Sequence, residues 1–104
     1  GWPIIEAQAC GCPVITTDDA PMTEIGGPQA HYLRPLRGDG DMQAWAQDGA
    51  DLIAAVLAQP NDAAARAERV RWAAQFTQDA AVLRYEQIYR AILNADAMLS
   101  LEVA

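Results

Sequence analysis

The stretch Gly1-Trp2-Pro3-Ile4-Ile5-Glu6-Ala7-Gln8-Ala9-Cys10-Gly11-Cys12-Pro13-Val14-Ile15-Thr16-Thr17 changes its pattern half-way, and that change decides the fold class. From Pro3 to Cys10 the apolar residues Ile4, Ile5, Ala7 and Ala9 run behind a proline in a first-turn position. With Gly11 as the stop, this predicts a short helix closed by a left-handed cap. Pro13 to Thr17 is β-branched and bounded by Pro13 and by Asp18-Asp19, the composition of a buried strand whose polar neighbours emerge at its C-terminal end. A helix followed within a few residues by such a strand is an α/β signature.

Working outward, Asp18 to Gly27 holds Pro21 and the Gly26-Gly27 pair around Met22-Thr23-Glu24-Ile25, which predicts a loop with one short helical turn. His31-Tyr32-Leu33 is a second strand candidate, followed by the turn-rich, irregular Pro35-Leu36-Arg37-Gly38-Asp39-Gly40-Asp41. Beyond Asp41 the chain turns Ala-rich and helical. Asp41 is the expected N-cap, and Trp45, Leu52, Ile53, Val56 and Leu57 form the core stripe of the first long helix. Pro60 and Asn61 break it. A second helix is expected from about Asp62 to Phe76, carrying Val70, Trp72, Ala73 and Phe76. Thr77 then caps a third, with Val82, Tyr85, Ile88, Tyr89 and Ile92 at helical spacing. The organisation is thus the end of a sheet region over 1–40, a helical region over 41–93 and a tail over 94–104 without capping or periodic signal. No internal repeat is present.

Composition narrows the function classes. At 104 residues, 52% apolar and 20% charged, the chain is a globular sequence of one domain at most. Fourteen acids oppose seven bases, a net charge of -7 that repels polyphosphate backbones, so nucleic acid is not an expected partner. All seven bases are Arg, which removes every mechanism that needs a lysine Schiff base or a P-loop lysine. The apolar stretches are too short and too often interrupted by acids for a membrane span.

Two strand candidates cannot complete a parallel sheet, because strands need neighbours to pair their backbone groups and helices to cover their faces. The missing strands are expected upstream. The opening Gly1-Trp2-Pro3, without an initiator Met, a basic region or an apolar leader, reads as a cut through a longer protein with no signal peptide. Cys10 and Cys12 are too close for an ordinary structural disulfide and too few for a zinc site, which fits a reducing, cytoplasmic compartment.

The chemistry is expected at the start of the first helix. A glycine entering a helix whose first backbone N–H groups are free makes an anion site, because those donors and the helix dipole both favour phosphate. Gly1 allows close approach. Glu6 falls one turn on, where a carboxylate can accept hydrogen bonds from a pair of sugar hydroxyls. The combination fits a nucleotide with its phosphates at the helix start and its ribose at Glu6. The competing reading of Glu6 is a solvated acid that complements the helix dipole.

At Gly1, Pro3, Glu6-Ala7, Ala9, Gly11 and Pro13-Val14-Ile15, continuing into Asp18 and Glu24-Ile25-Gly26, the sequence resembles the retaining glycosyltransferases of family four. These have the GT-B fold of two facing Rossmann-like domains. In that family two glutamates separated by seven residues frame the donor site; Glu6 aligns with the second, and the first falls upstream of Gly1. The resemblance implies the C-terminal, donor-binding portion of such an enzyme, with short parallel strands followed by a helical C-terminal region. It implies that Glu6 binds the donor ribose and that Gly1, Trp2, Pro3 and Ile4 meet the donor diphosphate through their backbone. It also implies that the absent first glutamate holds the transferred sugar. No catalytic residue, metal or cofactor is then expected within 1–104. The implied partners are a nucleoside-diphosphate sugar, a glycan or lipid-linked acceptor, and the upstream portion of the same protein, which would also make any peripheral membrane contact. Activity would be hexosyl transfer in polysaccharide biosynthesis, with the 104 residues inactive alone. The likeness runs to about Leu93, where a Phe-Ser/Thr junction and a late Tyr resemble Phe76-Thr77 and Tyr89. Trp2 replaces a more usual aliphatic residue, Pro3 removes one N–H, and the family's phosphate-clamping Arg and Lys precede this region.

The remaining residues read more plainly. Cys10 and Cys12 are expected to be small core residues at a helix end, with no thiol chemistry. His31 is a strand or loop residue with no nucleophile near it in sequence. Asp18 and Asp19 either face a ligand cleft at the C-terminal edge of the sheet or cap a helix. Trp45, Trp72, Tyr85 and Tyr89 are packing residues. Arg66, Arg69 and Arg71, alternating with Ala and Glu68, form a solvated face with local ion pairs. The rival readings are a dinucleotide-binding Rossmann-like domain, whose glycine fingerprint would have to follow a strand and open a helix, and a non-enzymatic helical interaction module.

Overall fold

The structure, a computed structural model, describes residues 1–38 and 40–103, with side chains through 96. Asp39, one of the expected turn residues, lies outside the described residues, as does Ala104. The chain divides into two compact units, 1–74 and 75–104.

The first unit opens with helix α1 (Trp2–Ala9), which has Pro3 in its first turn, as its lack of an N–H permits. α1 ends as expected. Gly11 takes φ +79°, and the N–H groups of Gly11 and Cys12 bond to the carbonyls of Gln8 and Ala7, both at 2.9 Å. This paired closure is a Schellman turn, and only glycine adopts its left-handed position without strain. Strand β1 (Ile15–Thr17) follows, then helix α2 (Met22–Gly26), a single 3-10 turn (Gly27–Gln29) and strand β2 (His31–Leu33). β1 and β2 pair in parallel, with Ile15 opposite His31 and Thr17 opposite Leu33. The described residues are therefore mostly helical with a small parallel sheet, an α/β arrangement.

Helix α3 (Met42–Ala58) packs on β2, and helix α4 (Ala63–Ala73) packs across α1. Asp41 is the expected cap of α3 and accepts from the Ala44 N–H at 3.0 Å; Asp62, expected only as the approximate start of the next helix, caps α4 by accepting from the Ala65 N–H at 2.8 Å. A 3-10 turn, Ala74–Phe76, continues from α4.

Burial corrects several expectations. Val14 is buried but Ile15 is exposed, because alternate strand residues face opposite ways and a two-stranded sheet leaves one face open. On α3 only Val56 is buried and Trp45 and Leu52 are half-buried; Ile53 and Leu57 are exposed, since little beside β2 covers this helix. On α4 the covered face is Ala65, Arg69, Trp72 and Ala73, one helical stripe directed at α1. Val70 falls off that stripe and is exposed, whereas Arg69, expected on a solvated face, is buried. Cys10 and Cys12 are exposed rather than core residues, because the buried position of their turn is Gly11.

The second unit is helix α5 (Gln78–Val103), preceded by Thr77, whose hydroxyl accepts from the Ala80 N–H at 3.1 Å as a cap. α5 runs through the stretch from Asn94 that was expected to be a tail. Val82, Tyr85, Ile88, Tyr89 and Ile92 hold their helical spacing but are all more than half exposed. Tyr85 and Tyr89 stack with ring centroids 6.4 Å apart, and Glu86 pairs with Arg90 at 2.7 Å. Among the described residues no helix is long and apolar enough to cross a membrane.

Candidate functional site

The expected site residues sit together at the first turn of α1. Gly1 is the N-cap, and no side chain caps the helix start. The first N–H groups of a helix lack intrahelical carbonyl partners. Pro3 contributes none, so Trp2 and Ile4 carry the free donors. Trp2, Pro3 and Glu6 are exposed and Ile4 is half-buried. Glu6 follows Trp2 by four residues and Pro3 by three, which puts its carboxylate on their helix face about one 5.4 Å turn from the helix start. A ligand anion resting on the helix start would thus have Glu6 beside it.

Gly1 has a packing reason as well. A Cβ there would meet the Cδ1 end of the Ile25 side chain of α2, so a residue larger than glycine would require that side chain to turn aside. Three side-chain donors hold α2 and the 3-10 turn that follows it, through carbonyls at and near their junction. Gln8 Nε2 of α1 donates to the Gly26 carbonyl at 3.1 Å. Trp72 Nε1 of α4 donates to the Ile25 carbonyl at 2.8 Å. Tyr32 Oη of β2 reaches the Gly27 carbonyl at 2.5 Å and that of Thr23 at 3.3 Å. Burial of the Tyr32 phenol, with a smaller contribution from the nearby Asp18 charge, raises its pKa above the ordinary tyrosine value.

None of these three donors was anticipated as a support of the site. Gln8 is fully buried, and its Oε1 has no hydrogen-bond partner. Its signal was present: position 8 lies on the helix face of Ile4 and Ile5, where a polar residue must find a buried partner. Trp72 was expected only as packing, and the role of its indole N–H depends on a residue 47 positions away.

The other candidates are arranged differently. Asp19 pairs with Arg37 at 3.2 Å, with both side chains largely exposed, and α2 carries no side-chain cap, so neither aspartate caps it. His31 lies in β2, half-buried. Arg71 pairs with Glu68 as expected. Arg69 instead donates from Nη1 to the Gly11 carbonyl at 2.9 Å and to Asn61 Oδ1 at 2.6 Å, placing a cation at the negative end of α1. Among the described residues no three His, Cys, Asp or Glu side chains gather to hold a metal ion.

No protein-family model, curated protein or solved structure matches this chain.

Proposed function

We propose that residues 1–104 belong to the donor-binding lobe of a retaining, nucleotide-sugar-dependent glycosyltransferase with Rossmann-like GT-B architecture. The observation that carries this reading is the uncapped start of α1, with Glu6 one turn along the same face and Gly1 bare of a side chain. Departure of a nucleoside diphosphate builds negative charge on its β-phosphate. Fixed N–H donors at a helix start stabilise that charge more in the transition state than in the ground state. Glu6 accepts the ribose hydroxyls and positions the donor without reacting. The sugar passes to a glycan or lipid-linked acceptor outside these residues. Further support comes from the unpaired edge of β1 and the uncovered apolar side of α5, surfaces that a larger α/β protein would cover.

The test is calorimetric titration of uridine and guanosine diphosphates into the polypeptide encoded by the whole reading frame, with and without Glu6→Ala. Loss of a hydrogen bond to a charged group costs about 1.5–3 kcal/mol, so binding of the matching nucleotide should weaken about 10- to 100-fold. Equal affinity and turnover in the variant would remove Glu6 from this role. A glutamate eight positions before Glu6 in the same reading frame would supply the second carboxylate of the donor site.

A further inference from the structure

The turn that closes α1 presents two free thiols, Cys10 and Cys12, both exposed and separated by Gly11 alone. We propose that this pair chelates a single soft, monovalent metal ion, with Cu(I) as the ion. The site lies at the C-terminal end of α1, away from Gly1 and one helical turn beyond Glu6, and does not depend on the donor-binding reading.

Geometry is the first support. Two residue steps span at most about 7 Å even when extended, and a turn shortens that distance, so the two cysteine α-carbons stand within the reach of a single chelated ion. The backbone between them is held in advance. Gly11 and Cys12 close the Schellman turn through their N–H groups, Arg69 grips the Gly11 carbonyl at 2.9 Å, and a Cβ on Gly11 would stand only 3.1 Å from Arg66 Cβ. Binding therefore orders little beyond two cysteine side chains, which lowers its entropic cost.

Ligand chemistry selects the ion. Thiolates are soft and favour Cu(I), zinc and iron–sulfur centres. Zinc takes four ligands, at least three of them from protein, and clusters need several cysteines. No third His, Cys, Asp or Glu joins the pair among the described residues. Two thiolates alone satisfy a monovalent copper ion. As the two S–Cu bonds form, the two thiols release two protons to solvent and copper stays in its +1 state, so no oxidant or reductant is consumed. The resulting unit carries one negative charge. It forms beside the Arg69 guanidinium, which is bonded to the Gly11 carbonyl between the cysteines.

Anaerobic titration of the full chain with Cu(I), supplied as its acetonitrile complex in competition with bathocuproine disulfonate, tests the assignment. One copper per chain should be held against the chelator, and Cys10→Ser and Cys12→Ser should each weaken binding at least about 100-fold, since a chelate loses its second arm. Both thiols are exposed, so the helical circular dichroism of each variant should match the parent. The proposal is overturned if the chain yields all copper to the chelator, if either serine variant binds as the parent does, or if one copper is held per two chains.

Discussion

Trp72 and Gly27 share one volume: the indole ring of Trp72 fills the space a side chain on Gly27 would need, while its N–H bonds to the Ile25 carbonyl at 2.8 Å. Gly27 also has φ +60°, where L side chains are strained. Gly27→Ala therefore combines overpacking with backbone strain and should destabilise the chain by about 2–5 kcal/mol. Urea unfolding followed by tryptophan fluorescence measures this; a loss below about 1 kcal/mol would mean that the ring moves aside freely.

Gln8→Leu removes the one side-chain donor to the Gly26 carbonyl among the described residues and should cost about 1–3 kcal/mol in the same assay. Gln8→Glu is more informative, because it buries an ionisable group. Burial raises the folded-state pKa of that carboxyl above its unfolded value near 4.3, and its protonated form can still donate to Gly26. Stability of this variant should be highest in acid and fall as pH rises through the folded-state pKa, opposite to the usual carboxylate.

Tyr32 provides the pH response of the unaltered chain. Its phenol is raised above 10.0, by burial first and by Asp18 second. Above that pH the unfolded chain releases this proton before the folded one does, so stability should decline as pH rises from about 10 through the folded-state pKa. Tyrosinate absorbance should show a late-titrating component from Tyr32. In Tyr32→Phe that late component should vanish, with a loss of about 1–2 kcal/mol from the missing hydrogen bonds at neutral pH.

Arg69→Ala strands the Gly11 carbonyl and Asn61 Oδ1 and leaves a space between α4 and α1. The expected cost is about 2–4 kcal/mol by chemical denaturation. Arg71→Ala, which breaks an exposed pair with Glu68, should cost less than about 1 kcal/mol.

The contrast between those two arginines shows what was legible in the sequence. Pro3, Gly11, Asp41, Asp62 and Thr77 act through their immediate neighbours, and each stands where local rules put it. β1 and β2 were likewise readable from short β-branched or aromatic runs between turn residues. Burial was not, because it depends on which element covers a face. The α4 stripe through Arg69 is buried only because α1 lies across it, and Ile53, Leu57 and the α5 stripe are apolar without being core. At the candidate site Glu6 and Gly1 stood out by resemblance, but Gln8, Tyr32 and Trp72, which hold α2 beside Gly1, are linked only in three dimensions.

The grip on α2 has a kinetic consequence. Its donors come from positions 8, 32 and 72, so it is complete only after the first seventy residues have closed upon themselves, and such long-range contacts pay their loop entropy late. Substitutions at these donors should accelerate unfolding while leaving refolding rates nearly unchanged, the behaviour of contacts absent from the transition state. The corner facing Gly1 would then be the last part of this unit to set and the first to loosen.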